Sequence, residues 1–394
     1  MDENLILLPS DEVALRHGKV QAMLHEAGID GLIVSDNANL FYLCGRVFAG
    51  YAYIPAEGDA LWFVRRPVGL EGDAVRYIRK PEDIPALLEQ SGAGLPQVLA
   101  LEFDLASYNL VNRLAALFPH ARVTDGSALL RKARSVKTPF EAGLMRLSGL
   151  KHEAVYRKIP GLYEAGMTDH ELQVEIERVS RLEGCLGMFR ISGGSMEIFM
   201  GNVLCGRNAD VPTPYDFAMG GGGLNASLPV GASGEAITEG KAVMIDVNGD
   251  FTGYMTDMTR VFSSGHLPEL AHRCHQCSLD ICRLFEREAL PGVEAKVIFR
   301  MIADLVEERG LERYFMGHRQ HAAFVGHGLG IEINELPVIA PRSRDILEEG
   351  NMVALEPKFV IPEVGAVGIE NTYYITSAGV EKLTNAPEEI IPLS

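Results

Sequence analysis

Apolar positions in the first third of the chain alternate between two spacings. From Val13 to Ala27 they recur at helical intervals, whereas Gly31 to Ser35, Ala60 to Val64 and Val98 to Glu102 are short apolar runs that read as strands. Helical patterns return near Pro85 to Gln90 and Tyr108 to Phe118, so residues 1–130 are expected to form an α/β layer domain. A basic stretch, Arg131 to Lys137, then marks a linker over 131–139. Thr138-Pro139-Phe140-Glu141 supplies an N-cap, a proline at the first helical position and the glutamate of a capping box, which opens a second domain over 140–394. Thr168 to Glu171 repeats the capping signal ahead of Leu172, Ile176 and Val179.

Farther along, Leu267, Leu270, Cys274, Cys277, Ile281 and Leu284 step by three and four along one helical stripe. This periodicity decides between two readings of the His272 to Cys277 cluster, favouring core thiols over metal ligands. Arg190 to Pro229 is rich in Gly, Pro, Asn and Met, and its glycine run Gly220 to Gly223 is followed by Leu224-Asn225 rather than Lys-Ser. A folded loop and pocket wall are expected there, not a phosphate cradle.

Composition narrows the setting. A chain of 394 residues exceeds what one core usually supports, in keeping with two domains. With 47% hydrophobic and 23% charged residues it reads as an ordinary globule. Its 36 Lys plus Arg against 53 Asp plus Glu give −17, which disfavours nucleic acid or an anionic membrane as partner. No apolar run has bilayer-spanning length, and Met1-Asp2-Glu3-Asn4 lacks a basic signal region, so a cytoplasmic location is expected. Six scattered cysteines are expected to be reduced.

The chemistry gathers late in the chain. Ala242 to Phe262 reads as a strand, an Asn248-Gly249 turn signal and a strand, with Asp246 and Asp257 among apolar neighbours. A tight hairpin at Asn248-Gly249 would not set the two acids opposite one another, so a bend near Gly253 or a neighbouring strand is expected to close the gap. Asn351 to Pro357 and Ala366 to Tyr374 form a second strand pair carrying Glu356 and Glu370, an echo that implies two similar halves. Between the pairs, Gly326-His327-Gly328-Leu329-Gly330 holds an imidazole in a glycine-flanked loop. Taken singly each residue has an ordinary structural explanation. Together, four buried carboxylates would repel and take up protons unless countered, and two divalent cations would cancel their charge.

This ordered set, with Glu356 followed by Pro357, resembles the methionine aminopeptidase, Xaa-Pro aminopeptidase, prolidase and creatinase superfamily, the pita-bread fold. Gly28 to Ser35 with Leu40 to Gly45, then Lys137 to Glu141 and Gly166 to Leu172, look like the prolidase and creatinase branch. The resemblance implies a creatinase-like, ribonuclease-H-like α/β amino-terminal domain and an α+β pita-bread catalytic domain with pseudo-twofold halves. It implies a homodimer and two divalent ions (Mn²⁺, Co²⁺, Fe²⁺ or Zn²⁺) held by Asp246, Asp257, His327, Glu356 and Glu370. A metal-bridged hydroxide would attack an amide carbonyl of a small peptide or other small amide, with Glu356 as proton shuttle.

Departures from the family pattern fall at the substrate. Family histidines are replaced by Val230 and Asn334, a further one by Ala323, the arginine before the last ligand by Gly368, and the acid after it by Asn371. Asn334 and His321 are the leading candidates to replace the missing catalytic groups, with His318, Tyr215, Asp216 and Arg190 behind them. An Xaa-Pro peptidase-like metallohydrolase is the first reading. A metal-dependent lyase or C–N hydrolase of the same fold, and a non-catalytic binding protein on this scaffold, are the alternatives.

Overall fold

Continuous apolar character, rather than alternation, places Gly31–Val34 at the interior of the first sheet, where all four residues are buried. It pairs antiparallel with Ala49–Pro55 and parallel with Val98–Leu101 in a sheet of six strands. In this computed structural model, which describes residues 8–193 and 198–393, the sheet belongs to a first unit that ends at Arg134, and a second unit begins at Ser135. The expectations for Met1 to Asn4, and for residues 194–197 within the Arg190 to Pro229 loop, lie outside the described residues. No helix among the described residues is long and apolar enough to cross a membrane.

The first unit also shows how this chain buries an acid for structural reasons. The Glu102 carboxylate, 2% exposed, accepts from Ser35 N at 2.7 Å, Asp36 N at 3.1 Å and Asn39 Nδ2 at 2.7 Å. Neutral donors satisfy it, as buried polar groups require.

In the second unit both expected capping boxes form. Thr138 accepts from Glu141 N at 3.2 Å while Glu141 Oε2 accepts from Thr138 N at 2.8 Å, starting the helix Pro139–Tyr156. Thr168 and Glu171 do the same for Asp169–Leu182. The strands Gly201–Cys205, Lys241–Asp250, Met255–Ser264 and Ile391–Pro392 make one sheet. Two more helices, Glu269–Glu288 and Ala295–Glu308, precede a second sheet containing Gly326–Gly328, Met352–Leu355 and Asn371–Thr376. Two helices followed by antiparallel strands thus occur twice in the unit. A separate pair, Lys358–Ile361 with Gly365–Gly368, lies along the chain between Met352–Leu355 and Asn371–Thr376. Cys274 and Cys277 are fully buried in the core around Glu269–Glu288, as their stripe predicts.

The ligand strands depart from local signals at two points. Asn248 and Gly249 do not turn: they continue the strand Lys241–Asp250, and the chain reverses over residues 251–254, at the bend near Gly253 expected from the spacing of the two aspartates. Asp250 Oδ1 accepts from Gly253 N at 2.9 Å, with Gly253 at φ +82, and these contacts outweigh the Asn-Gly signal. His327 lies in the short strand Gly326–Gly328 rather than a loop. Its flanking glycines serve close strand approach: a Cβ at Gly328 would sit 2.0 Å from Leu336 O, and one at Gly326 2.7 Å from Ala354 O.

Candidate metal centre

Register brings the acids together. Asp246 stands opposite Thr259 and Asn248 opposite Asp257, so the two aspartates share one face of the ladder, a diagonal step apart. Glu370 joins them through backbone: its N–H donates to Thr259 O at 3.2 Å, and the buried Arg260 guanidinium donates to its carbonyl at 2.8 Å. On the second sheet His327 stands opposite Ala354, and Glu356 lies two residues farther on, its N–H donating to Val325 O at 2.9 Å.

These five side chains form two overlapping clusters. Asp257, His327 and Glu370 make one, Asp246, Glu356 and Glu370 the other, with ligand atoms in each within 4.8 Å of one another. A residue that sequence reasoning missed fills the second. Lys358, fully buried, donates from Nζ to Asp246 Oδ2 at 2.7 Å, Glu356 Oε2 at 2.7 Å and Glu370 Oε2 at 3.2 Å. Thr259 Oγ1 adds a hydrogen bond to the same Glu370 oxygen at 2.8 Å.

The first cluster is arranged differently. Glu370 Oε1 is buried without a hydrogen-bond partner, and His327 Nε2 lies 4.0 Å from it and 3.4 Å from Glu356 Oε1. An orphaned buried carboxylate oxygen beside an imidazole and a second acid fits a divalent cation. His327 Nδ1 is turned to Gly328 O at 3.1 Å, which leaves Nε2 facing the acids.

Electrostatics separate Glu356 from Glu370 and Asp257. Burial would raise the Glu356 carboxyl, but Lys358 and His327 overcome it and hold the group down to about 2. Burial would lower His327, yet Glu356 and Glu370 raise it to about 9. Burial pushes Glu370 up to about 8, with Glu356 and Asp246 adding to it against the pull of Lys358. Asp257 is driven well above the usual carboxylate range by burial and by the charges of Glu370 and Asp246. Glu356, held between the ammonium and the imidazole, is therefore compensated, whereas Glu370 and Asp257 are not.

Three of the proposed substrate-side residues, Asn334, His321 and His318, have partners within the chain. Asn334 ties down a loop, Nδ2 donating to Ser192 O at 2.7 Å and Oδ1 accepting from Ser192 N at 2.8 Å. His321 Nδ1 bonds Phe315 O at 2.8 Å, and His318 Nδ1 bonds Asp210 Oδ2 at 3.0 Å. Val230 is fully buried, and Asn371 Oδ1 accepts from Arg260 Nη2 at 2.8 Å. Lys358 did leave a sequence signal: it begins the apolar run Lys358-Phe359-Val360-Ile361, where a charge demands a partner.

Comparison with known proteins places this geometry. The chain is 27% identical over 389 residues to the uncharacterized peptidase YqhT of Bacillus subtilis, covering 95% of this chain and 99% of that protein. It is 25% identical to an Xaa-Pro dipeptidase of Pyrococcus furiosus, covering 95% and 98%. Its fold matches an Xaa-Pro dipeptidase from Bacillus anthracis at TM-score 0.79 and 24% identity, over 97% of this chain and 100% of that one. Residues 16–136 match the creatinase/prolidase N-terminal domain and residues 143–377 match metallopeptidase family M24. The chain therefore belongs to metallopeptidase family M24, with a creatinase/prolidase N-terminal domain ahead of its catalytic domain.

Proposed function

We propose that this chain is a metal-dependent hydrolase of small amides, with Xaa-Pro peptides as the first substrate class to test. The observation that carries the reading is the buried group of Asp257, His327 and Glu370, with one oxygen of Glu370 lacking any protein partner. These three residues would hold the cation, and two carboxylates with one imidazole suit Mn²⁺, Co²⁺, Fe²⁺ or Zn²⁺. When bound, such an ion supplies Lewis-acid polarisation of the scissile carbonyl and lowers the pKa of water.

The chain's own residues supply the rest. Glu356 stays ionised beside Lys358, with Oε1 directed to His327, and so can accept a proton from an attacking water and return it to the leaving nitrogen. Lys358 fixes the rotamer of Glu356 and lends positive charge to the anionic wall. Arg260 and Thr259 clamp Glu370 from the backbone and side-chain sides. Specificity for proline is open to rebuilding, because Asn334 and Val230 stand where the family resemblance places histidines. A reducing, cytoplasmic setting belongs to the same reading, supported by six buried free thiols.

Purified chain assayed on a panel of Xaa-Pro and non-proline dipeptides, before and after chelation, tests the reading. Turnover that chelator abolishes and manganese restores supports it. Absence of turnover on every amide at saturating metal contradicts it.

A further inference from the structure

The two clusters differ in what already lies between their oxygens, and this bears on how many ions the chain takes. We propose that the Lys358 ammonium is a built-in replacement for one cation, so that the chain holds a single divalent ion, at Asp257, His327 and Glu370. The inference rests on reading the site as a cation centre and departs from the two-ion expectation.

Space excludes a second ion. Lys358 Nζ touches one oxygen from each of Asp246, Glu356 and Glu370, the same three residues that make up the second cluster. A divalent ion bound by those oxygens would sit roughly 2.0–2.2 Å from each, in the volume the ammonium occupies. Both positive charges could not share it in a buried, low-dielectric cradle. Nor is the lysine free to withdraw. Its side chain has no exposed surface, and its backbone is fixed by pairing with Gly368 and by Met316 N donating to Lys358 O at 2.8 Å. A Cβ at Gly368 would lie 3.0 Å from Lys358 Cα and 2.4 Å from Pro357 O, so the two strands approach closely at this point.

Charge leaves a deficit that one ion can reduce. Four carboxylates against one ammonium leave three negative charges, and one divalent ion reduces that to one. Glu370 is built to serve both cations. Its Oε2 receives Lys358 and Thr259, while Oε1, without a partner, lies on the side of His327.

The test counts ions rather than turnover. The full chain is stripped with chelator, titrated with manganese chloride, and assayed for bound metal by native mass spectrometry and by electron paramagnetic resonance. The expected result is one equivalent per chain with an uncoupled manganese spectrum. Lys358→Gly, which opens the cradle, is expected to take a second equivalent and to give an exchange-coupled signal. Two equivalents in the wild type, none at all, or a folded Lys358→Gly that still stops at one would each overturn the proposal. If Lys358→Gly does not fold, the wild-type count decides alone. A chain that binds one ion yet cleaves no amide sinks the proposed function and leaves this inference standing.

Discussion

Two acid clusters share Glu370 and lie in one buried wall, yet one is filled by a lysine ammonium and the other holds only an imidazole beside its acids. Around Lys358, three carboxylate oxygens are satisfied by an ammonium at hydrogen-bond distance. Around His327, a carboxylate oxygen of Glu370 has no partner, and both Glu370 and Asp257 are raised above the usual carboxylate range by burial and by neighbouring acids. The difference separates two uses of a buried acid. Beside Lys358 acids share an internal cation, and beside His327 they leave a deficit that a bound cation can fill. Glu102 in the first unit is a third case, where neutral donors alone satisfy a carboxylate and no chemistry follows.

The strongest way to break this division is to remove the internal cation while keeping its volume. Lys358→Met strands three carboxylates, and in chelator it is expected to lower unfolding free energy by about 3–5 kcal/mol, measured by urea denaturation. An unchanged stability would mean that the ammonium does not compensate these acids. Next, Asp257→Ala is expected to abolish bound manganese and activity together, since it removes one of the three groups facing the proposed ion. Full metal occupancy in that variant would take Asp257 out of the centre.

Glu356→Gln sharpens the functional side. Loss of the proton acceptor is expected to lower kcat about 10²–10⁴-fold with little change in KM, read from steady-state kinetics on the best dipeptide found. A selective rise in KM would recast Glu356 as a binding group. The smallest effect is expected at Thr259→Val, which deletes the hydroxyl bonded to Glu370 Oε2 at 2.8 Å. A cost of about 1.5–3 kcal/mol in stability, with unchanged metal stoichiometry, is expected for a hydrogen bond to a charged group.

The parts of this arrangement legible in the sequence were those written in local pattern. Capping boxes at Thr138 and Thr168 announced their helices, and the stripe through Cys274 and Cys277 announced a buried helix face. The four acids and the histidine drew attention because polar groups in apolar strands are costly without a purpose. Register was not legible: the Asn248-Gly249 signal was overridden by a longer ladder whose reversal is held by Asp250 and Gly253. Lys358 was passed over because two of its three partners, Asp246 and Glu370, lie 112 and 12 residues away and only the folded chain brings them together with Glu356 around one ammonium. Asn334 illustrates the converse, a plausible catalytic amide by position whose donor and acceptor both serve the Ser192 backbone.

A crystal structure of the chain grown with excess manganese, with anomalous diffraction recorded for the metal, tests the central claim most directly. The account predicts one anomalous peak, among Asp257, His327 and Glu370, with the Lys358 ammonium still lodged between Asp246 and Glu356. Two peaks with the lysine side chain expelled from that cradle would contradict it.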